Sequence, residues 1–167
     1  EAARKTYAAK GRPSDNPLIV HICEVDALNR IAVNIPEEVG RLAEKFWPGP
    51  LTLILEKSDE VPYGTTGGLD TVAVRMPSDS IARELIRAAG GYVSAPSANT
   101  SGRPSPTAAE HVREDLDGKI EMILDGGSVD IGLGIYHFRY DGHTADDLKT
   151  GSDHRRYDGT CCGACQY

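Results

Sequence analysis

Short apolar runs punctuate this chain, with room for one helix or one loop between them: LIVHI at 18–22, LTLIL at 51–55, TVAVRM at 71–76 and YVSAP at 92–96. Runs of this length are buried strands; a membrane-spanning helix needs roughly 20 apolar residues, and none is present. The intervening segments carry helical patterning. Glu1 to Lys10 is Ala-rich and closed by Gly11 and Pro13. EEVGRLAEKF follows Pro36, places Val39, Leu42, Ala43 and Phe46 on one face, sets Glu37 and Glu38 at its positive end, and stops at WPGP. SIARELIRAAGG is amphipathic with a glycine stop, and AAEHVREDL follows Thr107, a candidate N-cap. GTTGGLD reads as a flexible loop, and MILDGG as a closing strand and turn. Strands interleaved with helices, without a repeat or an internal linker, predict one α/β domain.

The 167 residues suffice for one real core, and 40% hydrophobic with 26% charged residues is ordinary for a globular chain. A net charge of -7 argues against general nucleic-acid adhesion but leaves room for a local basic cleft. No signal peptide is recognisable, so a cytoplasmic location without membrane attachment is expected. The opening EAARKTYAAK reads as the middle of an element already under way, so an N-terminal piece is expected to be missing. Cys161, Cys162 and Cys165 crowd the far end near His154, but zinc needs a second ligand pair at suitable spacing. The plainer reading is a tail that contains thiols, and no metal site is expected.

Three stretches set polar side chains at the edges of apolar runs. In KGRPSDNPLIVH, Lys10 and Arg12 lie close enough to repel unless an anion or the preceding helix C-terminus receives them. Asn16 before Pro17 can close a turn. His21 sits inside an apolar run, as a satisfied core residue or as a ligand contact. In TVAVRMP, alternation places Thr71, Ala73 and Arg75 on one face; a buried Arg75 needs an anion, or a carboxylate such as Asp70 or Asp79. In SAPSANTSGRPSPT, Ser97, Asn99, Ser101 and Ser105 with backbone N–H groups could cradle a phosphate, or simply build a turn and a cap. There is no Walker A loop, no GxGxxG, no Ser-His-Asp motif and no HExxH.

Taken in order, KGRPSDNPLIVHI, FWPGPLTLIL, VAVRMP, SAPSANTSGRPSPTAAEHV and ILDGG resemble the Sua5/YrdC/YciO family of threonylcarbamoyl-AMP synthases, from Glu1 to about Leu133. The resemblance implies an α/β fold, a YrdC-like twisted mixed sheet with flanking helices around a concave basic cavity. It implies an L-threonylcarbamoyladenylate synthase, a nucleotidyltransferase that converts L-threonine, bicarbonate and ATP into threonylcarbamoyl-AMP and pyrophosphate. A downstream threonylcarbamoyl-transferase complex then modifies tRNA. By matching position, Lys10, Arg12, Asn16, Thr71, Ser97, Asn99 and Ser105 are expected at ATP, and His21, Arg75 and Ala95 at threonine. No protein nucleophile is implied, and Mg²⁺ would bind through the phosphates. The alternative is a non-catalytic double-stranded RNA- or tRNA-binding module of the YciO kind. A carbamoyl-transfer protein of hydrogenase maturation ranks below both, because no acylphosphatase or zinc-finger segment is present.

Two departures from the family pattern stand out. Its N-terminal PTETVYGLG-like strand, which carries a threonine-contacting Thr, is absent. After GGSVDIGL, where the family continues with an ESTVVD-like strand and an RPGAIT-like motif, stands GIYHFRYDGHTADDLKTGSDHRRYDGTCCGACQY. Beyond Ile135 its only Leu, Ile, Val or Met is Leu148, too little apolar surface to offset the entropy of ordering. Codons AAA ACC GGG AGC GAT CAC for Lys149 to His154, read from the second base, give Lys-Pro-Gly-Ala-Ile-Thr. In the same frame GGA ATC TAT CAC for Gly134 to His137 gives Glu-Ser-Ile and then Thr. The chain therefore divides into 1–133, a YrdC-like domain truncated at its start, and 134–167, a divergent, poorly ordered tail read out of frame after a single-base insertion. A naturally divergent tail is the alternative, and an inactive fragment is one expected outcome.

Overall fold

The computed structural model describes residues 1–128, and beyond them the backbone of three strands at 136–140, 145–148 and 154–157. Four apolar runs become strands: β1 (Ile19–Ile22), β2 (Leu51–Glu56), β3 (Thr71–Arg75) and β4 (Tyr92–Ala95). Their order is β4-β1-β3-β2, with β1 parallel to β3 and both other pairings antiparallel, so the sheet is mixed as expected. The sheet continues beyond β2 through β5 (Tyr136–Tyr140), β6 (Ala145–Leu148) and β7 (His154–Tyr157), with β5 parallel to β2. The expectation of a poorly ordered, out-of-frame tail at 134–167 falls mostly outside the described residues, as does the cysteine cluster.

The period of two along each strand sorts the side chains onto two faces. One face is the core: Val20 and Ile22 of β1, Leu53 and Leu55 of β2, Val72 and Val74 of β3 are all buried. The helices α2 (Leu28–Ile31) and α3 (Glu37–Phe46) cover it with Leu28, Ile31, Val39 and Ala43, joined by Trp47. Val39 and Ala43 lie four residues apart, one turn, which is why α3 presents one continuous apolar stripe. The WPGP turn then brings the chain into β2, with Trp47 Nε1 donating to the Leu51 carbonyl at 2.7 Å. Gly49 is required there, because a Cβ would stand 2.3 Å from the Phe46 carbonyl oxygen.

The opposite face is only half-covered. It carries Ile19 and His21, Thr71, Ala73 and Arg75, Val93 and Ala95. The remaining helices are α1 (Ala2–Lys10), the short α4 (Tyr63–Thr66), α5 (Ser80–Ala88) and α6 (Ala109–Leu116).

Three local expectations are corrected. MILDGG forms no strand: Met122 and Leu124 are 72% and 59% exposed, and among the described residues no strand pairs with the run. GTTGGLD is not all loop, since α4 enters it and ends on Gly67 in the left-handed region. Thr107 does not cap α6; Ala108 holds that position, and the Thr107 N–H donates to His111 Nδ1 at 3.4 Å.

Candidate functional site

The sheet register groups the expected residues before any side chain is considered. β1 pairs with β3 so that His21 stands beside Arg75 and Ile19 beside Ala73. β4 pairs with β1 so that Ala95 stands beside Ile19 and Val93 beside His21. On the other side, Thr52 of β2 stands beside Arg75. One cross-strand row therefore reads Val93, His21, Arg75, Thr52, and the next reads Ala95, Ile19, Ala73, Ile54. Extending the same registers by two residues puts Pro17, Thr71 and Ser97 abreast. Thr71 and Arg75 thus mark opposite ends of one open face, about 13 Å apart at the usual rise per residue.

At the Arg75 end, the candidate carboxylate partners are engaged elsewhere. Asp70 accepts from the Tyr63 hydroxyl at 2.9 Å, and Asp79 caps α5 by accepting from the Ala82 N–H at 2.7 Å. Arg75 Nε donates to the Gly49 carbonyl at 3.0 Å, and among the described residues the guanidinium has no carboxylate partner. Burial lowers its pKa from the usual value, although an arginine stays charged in any protein setting. Beside it, burial first and the Arg75 charge second push His21 down to about 4, so its imidazole is neutral at physiological pH. Its Nδ1 is buried without a hydrogen-bond partner. A half-buried cation without a described carboxylate partner, next to a neutral imidazole with an unused nitrogen, is suited to a small molecule with a carboxylate and a polar neighbour.

At the other end, Arg12 reaches back over its own turn. Its guanidinium donates to Asn16 Oδ1 at 2.6 Å and to the Pro17 carbonyl at 3.1 Å. The turn closes through the Asn16 N–H to the Pro13 carbonyl at 3.2 Å. It is backed by Gly67, whose Cβ position lies 2.6 Å from the Asp15 carbonyl oxygen, so only glycine lets the two segments meet. The Leu18 N–H donates to the Thr65 carbonyl at 2.9 Å and seals the join.

Lys10 is buried rather than solvated. It is 5% exposed, and its Nζ donates to the carbonyls of Ser97 and Asn99. Desolvation by burial, then Arg12, lowers its pKa from the usual lysine value. Lys10 therefore ties the end of α1 to the Ser- and Asn-rich loop after β4. That loop is held from within. Asn99 Nδ2 donates to the Thr100 and Arg103 carbonyls at 2.9 and 2.7 Å, leaving its buried Oδ1 without a partner. Asp115 of α6 accepts from the Thr100 N–H at 2.9 Å and pairs with Arg103; these bonds, the Thr100 N–H first, lower its pKa. Ser97 and Ser105 are exposed. A cavity of ≈ 440 Å³ opens beside the junction, lined among others by Lys5, Lys10, Ser97 and Lys119. His21 and Arg75 do not line it.

Sequence reasoning did not single out Thr52, Gly49, Gly67 or Asp115. Thr52 carried a signal, a hydroxyl inside the run LTLIL. Asp115 carried none, because an acid in AAEHVREDL reads as part of a solvated face. Among the described residues no three His, Cys, Asp or Glu side chains gather as metal ligands, and no helix is long and apolar enough to cross a membrane.

Comparison with known proteins bears on this arrangement. The Sua5/YciO/YrdC family model, described as "Telomere recombination", matches residues 1–134. The threonylcarbamoyl-AMP synthase of Pyrococcus abyssi is 58% identical over 132 residues, which is 79% of this chain and 39% of the relative. That of Bacillus subtilis is 54% identical over 134 residues, 80% of this chain and 39% of the relative. The chain thus spans about two fifths of the length of these relatives. Among solved structures, P. abyssi Sua5 complexed with L-threonine matches with a TM-score of 0.81 at 55% identity, covering 83% of this chain and 41% of that one. Escherichia coli YciO shares the fold, with a TM-score of 0.78 at 20% identity, covering 89% of this chain and 72% of that one.

Proposed function

The chain belongs to the Sua5/YciO/YrdC family, and we propose that it carries the substrate-joining site of an L-threonylcarbamoyladenylate synthase. L-Threonine, bicarbonate and ATP enter, and threonylcarbamoyl-AMP, pyrophosphate and water leave. The observation that supports this most is Arg75: a half-buried guanidinium without a described carboxylate partner, in register with a neutral His21.

On this reading threonine occupies the His21–Arg75 end, with Ala95 in the adjoining row. Arg75 binds the carboxylate through its planar fork. Neutral His21 accepts or donates one hydrogen bond without placing a second cation against Arg75. The triphosphate and nucleoside occupy the other end, near Arg12, Asn16, Thr71 and Ser97, with Asn99 and Ser105 on the neighbouring loop. Lys10 shapes that loop and adds positive charge beneath it. The threonine amine attacks the bicarbonate carbon, and a C–O bond breaks with loss of water to give a carbamate. A carbamate oxygen then attacks the α-phosphorus and pyrophosphate departs. No side chain forms a covalent bond, so rate enhancement comes from holding three substrates in line and neutralising their charge. Mg²⁺ would enter as a cation carried by the phosphates.

The functional unit is residues 1–133, with 134–167 out of frame, and its place is the cytoplasm, upstream of a transferase complex acting on tRNA. The test is pyrophosphate release from ATP by the full chain. Release should require both L-threonine and bicarbonate; release indifferent to L-threonine would overturn the assignment.

A further inference from the structure

Thr52 is the most anomalous side chain of the open face. It lies in the row of His21 and Arg75, directly across from Arg75 in the β2–β3 pairing. Its neighbours on that face are half-exposed, whereas Thr52 is 0% exposed. On its other side Thr52 stands in register with His137 of β5, and among the described residues its hydroxyl has no hydrogen-bond partner. A buried, unpaired hydroxyl is costly, and a partner that arrives with the ligand would offset the loss. Apolar residues surround it in the run Leu51 to Leu55, where valine would keep the shape and remove the cost. The same row holds a second orphan, His21 Nδ1, and between the two stands a cation without a described carboxylate partner.

These three groups complement one ligand. A carboxylate or bicarbonate offers about four acceptor sites; the Arg75 fork fills two and leaves the rest facing its cross-strand neighbours. Residues opposite each other on antiparallel strands have Cβ atoms about 5 Å apart, within reach of a shared small anion. We propose that Thr52 is a substrate-contacting residue: its hydroxyl donates to the oxyanion held by Arg75, completing a His21–Arg75–Thr52 row. This rests on the functional reading above. The Gly49 carbonyl, which accepts from Arg75 Nε, keeps the guanidinium in the row before the anion arrives.

Thr52→Val removes the donor while keeping the shape, and Thr52→Ser keeps the donor. Both are measured in the full chain by pyrophosphate release, titrating L-threonine, bicarbonate and ATP in turn, and by calorimetric binding of L-threonine. T52V should raise the KM for one oxyanion substrate about tenfold or more, leave that for ATP unchanged, and melt no lower than wild type. T52S should stay within about threefold of wild type. A rise in the L-threonine KM and Kd identifies the amino-acid carboxylate; a rise confined to bicarbonate identifies the carbonate-derived oxyanion. Wild-type behaviour of T52V toward both, in an active chain, overturns the role of Thr52 alone. A wild-type chain that neither binds L-threonine nor shows threonine-dependent release overturns the functional reading, and this inference with it.

Discussion

Arg75 and His21 divide the labour of binding because burial affects their charges differently. An arginine keeps its proton when desolvated, whereas a histidine loses it. Replacing Arg75 by lysine keeps the charge but removes the planar two-donor fork. R75K should weaken L-threonine binding about tenfold or more by calorimetry, while its melting temperature stays near wild type because the side chain is only half-buried. His21 makes a prediction in pH. Its folded pKa, about 4, lies below the unfolded value near 6.5, so the unfolded chain takes up the proton first. Its contribution to stability is fully present above pH 6.5 and is lost as pH falls through 4, by up to about 3 kcal/mol. Urea midpoints measured between pH 7 and pH 4 should fall more steeply for wild type than for His21→Gln.

At the scale of elements, the site depends on two joins. Gly67 lets α4 press against the Asp15 carbonyl and so fixes the turn carrying Arg12 and Asn16. Lys10 joins α1 to the loop of Ser97 and Asn99 through two carbonyls. Lys10→Met keeps the bulk and removes both bonds, leaving two carbonyls short of a charged donor. It should cost about 2–3 kcal/mol, a fall of about 5–10 °C in melting temperature, and should raise amide exchange across 97–105. If Lys10 served ATP alone, K10M would lose nucleotide affinity without either change. Helices α1, α3, α5 and α6 and four strands were legible from periodicity and punctuation; the short α2 and α4 were not. MILDGG was not, because an apolar run becomes a strand only where a neighbour waits to pair with it. The α6 cap was misread because a threonine beside a helix start caps it only if the backbone places the hydroxyl over the first N–H groups.

For the whole molecule, the open question is the join near residue 134. The family match ends there, at 134 of 167 residues, where the expected ESTVVD-like segment should begin. The underlying codons decide it. If a base was inserted, the nucleotide sequence for Lys149 to His154 read from its second base encodes Lys-Pro-Gly-Ala-Ile-Thr, and that for Gly134 to His137 encodes Glu-Ser-Ile. Codons unable to encode both identify a naturally divergent tail. The backbone pairing of β5 with β2 does not discriminate, since strand pairing is made by main-chain groups that every residue except proline supplies.

From the sequence alone came the α/β class, the strands, the family motifs and the residue types suited to an anionic substrate. Each depends on local periodicity or on a contiguous string, which a linear reading can see. Only the tertiary structure decided which cations are free. Lys10 and Arg12 look alike in KGRPSD, yet one is buried under two carbonyls and the other is folded over its own turn. Arg75 had two plausible acidic partners nearby, and both are spent elsewhere. Thr52 gained meaning only when the register set it across from Arg75. Partnership and burial are properties of segments far apart in the chain, so they appear only once the sheet has aligned them.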